Sequence, residues 1–153
     1  MKILFNLTFI FLLLTNNSNA NLIKPNSSLK PLEVLMIQLN SLKNNDKPYK
    51  DAGIEQTWEF AHPINKASTG PLERFKKMIH TDEYKILISH VNNKTIILKK
   101  SSDKLVYKVY VLSKNKKKYY YIWQIEKVEQ EGILKNCWMT TAVSEPIYLG
   151  EII

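Results

Sequence analysis

The sequence predicts an α+β domain in which three N-terminal helices pack on a curved antiparallel sheet. Three observations carry that reading. Apolar residues recur at helical spacing through the first half of the chain, whereas the second half is a series of Ile, Val, Tyr and Leu runs broken by turn residues. Helices followed by a meander, rather than strands alternating with helices, segregate the two kinds of element into layers. The third observation is compositional. The chain has 153 residues, 44% of them hydrophobic, and a single cysteine. One domain held by an apolar core fits those figures, and an intrachain disulfide or thiolate zinc site does not.

After Pro31, residues Leu32, Leu35, Met36, Leu39 and Leu42 share one helical face, and Asn44-Asn45-Asp46 is the expected stop. Asp51 is the expected N-cap of a second helix that carries Ile54, Thr57, Trp58 and Ala61 and ends at Pro63. Residues 65–70 read as a loop. Pro71 opens a third helix with Leu72, Phe75, Met78 and Ile79 as its buried stripe. Strands are expected at Lys85–Val91, Thr95–Lys99, Lys104–Leu112, Lys118–Lys127 and Cys137–Val143, with a short one at Ile147–Leu149. Asn92-Asn93 and Ser101-Ser102-Asp103 are turns, and Ser113–Lys118 is a hairpin tip.

The first twenty residues read differently. Met1-Lys2, the apolar run Ile3–Leu14 and the polar stretch Thr15–Ala20 form the three-part pattern of a secretory signal peptide. Twelve apolar residues are too few to span a bilayer of ~30 Å. The expected product is exported, to the periplasm, the exterior or a compartment lumen, with a loose leader over 21–30 and one domain over 31–153. It has no transmembrane segment in the mature chain. Removing Lys2 lowers the net charge from +8 to +7. Arg74 is the only arginine. Lysine is the poorer residue for bidentate phosphate recognition, so nucleic acid is not an expected partner.

The two long strands are apolar on both sides. Leu105, Tyr107, Val109 and Val111 alternate with Val106, Tyr110 and Leu112, and Tyr119, Tyr121, Trp123 and Ile125 oppose Tyr120 and Ile122. A sheet with one wet face would carry polar residues there. Two-sided apolarity predicts a covered outer face, by a second copy in a homodimer or by the chain's own tail, Ile147–Ile153.

Three local segments add a family resemblance. Phe60-Ala61-His62-Pro63, Thr69-Gly70-Pro71 and Asn136-Cys137-Trp138-Met139 resemble signature stretches of an uncharacterised exported family, domain-of-unknown-function family 4864, within the nuclear transport factor 2-like superfamily. His62 stands where that family has serine, and Asn136 where it has glycine. The resemblance runs from about Pro31 to Val143. It implies a cone-shaped fold with a pocket between helices and concave sheet, and it supplies no catalytic residues.

The expected pocket residues are Trp58, His62, Tyr84, Tyr107, Trp123 and Trp138, joined by His80 and Asp82 as ionisable candidates. None forms a motif with diagnostic spacing. The histidines at 62, 80 and 90 make no close ligand pair, so neither metal nor cofactor is expected. Cys137, inside an apolar strand, reads as an inert thiol. The four glycines, at 53, 70, 132 and 150, make no phosphate loop, and no G-x-S-x-G elbow occurs. The leading expectation is therefore non-catalytic binding of a small apolar ligand or a protein partner. One alternative is a SnoaL-like isomerase or cyclase with His62 or Asp82 as base. The other is a polyanion or anionic-membrane binder acting through Lys114–Lys118. Asn26 and Asn93 lie in glycosylation sequons.

Overall fold

The computed structural model describes residues 21–152. The segment read as a signal peptide and Ile153 lie outside the described residues. Four α-helices come first: α1 (Pro31–Lys43), α2 (Ala52–Glu59), α3 (Pro63–Thr69) and α4 (Leu72–Ile79). Five strands follow: β1 (Asn92–Lys100), β2 (Lys104–Leu112), β3 (Lys117–Lys127), β4 (Trp138–Val143) and β5 (Ile147–Glu151). They form one antiparallel sheet in the order β1-β2-β3-β4, with β5 also paired to β3. The architecture is α+β, as the pattern predicted, but with four helices rather than three, because most of the expected loop over residues 65–70 belongs to α3.

Two local readings are corrected. Pro63 does not end a helix; it begins one. Proline lacks an N–H and has a helical φ, so it suits a first turn. His62 caps that turn through Nδ1, which accepts from the Ile64 N–H at 3.2 Å. The expected strand at Lys85–Val91 is instead a 3₁₀ turn, Lys85–Leu87, and a bend with Ser89 at φ 57°. Tyr84 N–H, Lys85 N–H and Leu87 N–H all bond within the 81–87 segment, so local turns take the groups a ladder would need.

The leader is also tied down. Ile23 donates its N–H to Gln56 Oε1 at 2.7 Å and accepts from Gln56 Nε2 at 2.9 Å. Lys24 pairs with Glu59 at 2.9 Å. Composition flagged this segment as loose because the partner is a side chain 33 residues away.

Helix α1 buries Val34, Leu35, Gln38, Leu39 and Leu42, while Leu32 is about half exposed. The buried stripe is thus rotated from the apolar one and takes in a polar residue. α1 and α2 cross closely because position 53 is glycine. A Cβ there would lie 2.1 Å from the Ser41 carbonyl oxygen. Across β2 and β3, Leu105 pairs with Ile125, Tyr107 with Trp123 and Val109 with Tyr121. Those six residues are buried and form one cluster with α1, Ile54, Phe60, Phe75 and Ile79. A smaller cluster, Val128, Cys137 and Met139 with Leu134, closes the far end of β3.

The tail does not fold over the outer face. β5 pairs edge-on with β3, Tyr120 opposite Ile147, and so extends the sheet. Val106, Tyr110, Leu112, Tyr120 and Ile122 remain partly exposed, and Ile96 and Ile147 are exposed. Lys108 lies over the Tyr120 ring, 4.0 Å from its centroid.

Candidate functional site

Between the helices and β4 lies a cavity of about 230 Å³. It forms where the helical layer and the sheet diverge, and its walls are of two kinds. Leu42, Phe75, Met78, Ile79, Leu87 and Val143 make the apolar side. Gln38, Thr57, Asn65 and Thr140 contribute polar groups, with Trp123 bonded to Thr140 and Tyr84 also in the lining.

The polar corner is one connected network. Trp123 Nε1–H donates to Thr140 Oγ1 at 2.9 Å, and Thr140 Oγ1–H donates to Gln38 Oε1 at 2.6 Å. Gln38 Nε2 donates to the Thr57 carbonyl at 3.1 Å. Indole can only donate and a carbonyl can only accept, so the ends of this chain fix the orientation of the Gln38 amide between them. The backbone of Thr140 is held as firmly. Its N–H donates to the Phe60 carbonyl, and its carbonyl accepts from His62 N–H at 2.8 Å and Asn65 Nδ2 at 3.1 Å. Gln38, Thr57, Trp123 and Thr140 are all buried, so the bonds among these four form away from water.

The lining carries no carboxylate, imidazole, thiol or amine among the described residues. Its one ionisable group is the Tyr84 phenol, which donates to the Val143 carbonyl at 3.3 Å. Burial pushes that phenol's pKa upward, and Glu145 and Glu83 add to the effect. It is a neutral hydroxyl at physiological pH.

Of the six residues expected to line a pocket, Tyr84 and Trp123 meet in this cavity. The other four do not join them. Trp58 packs on Phe75 with ring centroids 5.0 Å apart and under the Lys66 ammonium at 5.3 Å. Tyr107 and Trp138 border a shallow surface concavity beside Pro31 and Leu32. His62 lies in another, with Asp103, Glu126 and Lys127. Burial lowers the His62 pKa against the pull of Glu126, and its Nδ1 is committed to capping α3. His80 bonds Asp51 at 2.8 Å, and Asp82 is a solvent-exposed partner of Lys85. Neither residue borders the cavity.

Sequence reasoning missed Gln38, Thr57 and Thr140 as a set. Gln38 had a signal, because it sits on the helical face that carries Val34, Leu35 and Leu42, where a polar residue needs an internal partner. Thr140 had none, since its partners lie 17 and 102 residues away.

The remaining candidates resolve structurally. His90 is buried and lies between two fixed partners, the Leu87 carbonyl at Nδ1 and Asn93 Nδ2 at Nε2, both at 2.8 Å. Only the neutral Nδ1–H tautomer satisfies both, and burial lowers its pKa in the same sense. The Asn93 sequon amide is therefore engaged, whereas Asn26 is exposed. Tyr119-Tyr120-Tyr121 do not form a row for stacking bases. Tyr119 meets Tyr148, Tyr120 meets Tyr110, and Tyr121 is buried with its hydroxyl donating to the Glu83 carbonyl. Lys117 faces Glu151 at 3.6 Å, which offsets part of the charge at the hairpin. Cys137 is buried and its thiol pKa is raised. No group of three or more potential metal ligands occurs among the described residues, and no described helix is long and apolar enough to cross a membrane.

In comparisons with known proteins, no family model, no curated protein and no solved structure matches this chain.

Proposed function

We propose that the protein is an exported binding domain of the uncharacterised cone-fold family it resembles, and that it holds a small, largely apolar molecule between its helices and its sheet. One observation carries the reading. A cavity of about 230 Å³ pairs an apolar wall with a neutral hydrogen-bonded corner, and among the described residues its lining holds no carboxylate, imidazole, thiol or amine. An engineered apolar cavity of about 150 Å³ is already large enough to take up benzene. General acid–base catalysis most often uses a positioned imidazole or carboxylate, and the two candidates, His62 and Asp82, lie elsewhere. The test is native mass spectrometry of the protein purified from its own host without denaturation. The expected spectrum shows an adduct of small-molecule mass that is lost on unfolding. Bare protein under conditions that preserve other non-covalent complexes would count against it.

A second reading concerns the outer sheet face, which the tail leaves uncovered. Ile96, Val106, Tyr110, Tyr120, Ile122 and Ile147 surround Lys108, which pairs with Ile96 and Ile122 in register and lies over the Tyr120 ring. This face suits self-association through two sheets stacked face to face. Light scattering should find a dimer that Ile122→Glu converts to monomer with its melting cooperativity retained. A wild-type monomer at high micromolar concentration would end this reading.

A further inference from the structure

The hydrogen-bond inventory of the cavity specifies its ligand more closely. This step rests on the cavity-binding reading above. Thr140 Oγ1 accepts from Trp123 and gives its one hydrogen to Gln38, so it has no hydrogen left to donate. Gln38 is 1% exposed and has two amide hydrogens. One goes to the Thr57 carbonyl, and the other has no acceptor among the described residues. Thr57 Oγ1 gives its hydrogen to the Gly53 carbonyl at 2.8 Å, which leaves its lone pairs as acceptors. Gln38 and Thr57 therefore present an open donor beside an open acceptor, on two residues already bonded to each other. A ligand hydroxyl is complementary to that pair, since it can accept from one atom and donate to the other.

Charge narrows the class further. Among the described residues, no lysine, arginine or histidine lines the cavity. A carboxylate or phosphate would be desolvated without a counter-charge and would set anionic oxygen against the Thr57 lone pairs. An ammonium would lack a carboxylate partner and would meet the Gln38 N–H. Both ionic classes are disfavoured.

We infer that the cavity selects an uncharged molecule with an apolar body and a hydroxyl group, an alcohol or phenol, read by Gln38 Nε2 and Thr57 Oγ1. Three matched probes test this by calorimetric titration: cyclohexylmethanol, methylcyclohexane and cyclohexanecarboxylate at pH 7.5. The alcohol should bind about tenfold more tightly than the hydrocarbon, and the carboxylate should not bind. Thr57→Val keeps the side-chain volume and removes the acceptor. It should reduce the alcohol's affinity relative to the hydrocarbon's, both measured on the same variant, with a circular dichroism melt confirming that the variant folds. If none of the three binds, the cavity-binding reading itself fails. If the alcohol and the hydrocarbon bind equally, or the carboxylate binds as tightly as the alcohol, ligand binding survives and the hydroxyl assignment is overturned.

Discussion

Thr140 shows how much one side chain can hold in place. Its hydroxyl joins β4 to Trp123 on β3 and to Gln38 on α1, and its backbone ties the segment before α3 to the sheet. A buried donor left without an acceptor bears its full desolvation penalty, which exceeds the net gain from one ordinary hydrogen bond. Thr140→Val strands the Trp123 N–H and leaves Gln38 Oε1 without its donor. We expect a loss of about 2–4 kcal/mol in urea-unfolding stability, more than one bond would give, since two buried groups are affected. Val143→Ala, on the apolar wall, supplies the comparison. A Thr140→Val variant as stable as wild type would show that Gln38 and Trp123 find other partners. The network was invisible in the sequence because threonine in a strand is ordinary and its partners are distant in the chain. Trp123 was legible as a large aromatic on a core strand, yet nothing local marked which aromatics would share a cavity.

At the scale of elements, the helix crossing shows what sequence does and does not reveal. The apolar stripes of α1 and α2 were readable from spacing, since Leu35, Leu39, Leu42 and Ile54 are all fully buried. Their depth of approach was not, because it depends on the missing side chain at Gly53 beside the Ser41 carbonyl. Backbone cannot retreat as a flexible side chain can. Gly53→Ala should therefore lose roughly 1–3 kcal/mol, despite alanine's better helix propensity. Equilibrium denaturation decides the matter: a neutral or stabilising result would mean that the helices can separate without penalty. The same contrast explains the two misread segments. Pro63 carries both a start and a stop signal, and only the His62 cap and the sheet contacts at Thr140 select the start. Lys85–Val91 alternates like a strand, but Lys85, Leu87 and Ile88 bond within local turns, Ser89 and Val91 donate to the Leu42 and Leu112 carbonyls, and the buried His90 bonds the Leu87 carbonyl.

The described residues form a helical layer and a sheet with a cavity between them, and none of them covers the sheet's outer face. The order of layers, the meander and the two-sided apolarity of β2 and β3 all follow from residue patterning. The cavity does not, because it depends on how far two layers separate, a quantity no periodicity encodes. That separation is the basis for reading the protein as a binding domain. The most direct check is a ¹H–¹⁵N correlation spectrum of the assigned protein titrated with cyclohexylmethanol. Binding in the cavity predicts saturable shifts centred on the Gln38 side-chain amide, the Trp123 indole N–H and the backbone of Thr57, Thr140 and Val143. Shifts that fail to saturate, or that centre on Tyr110, Tyr120 and Ile122 of the outer face, would contradict it.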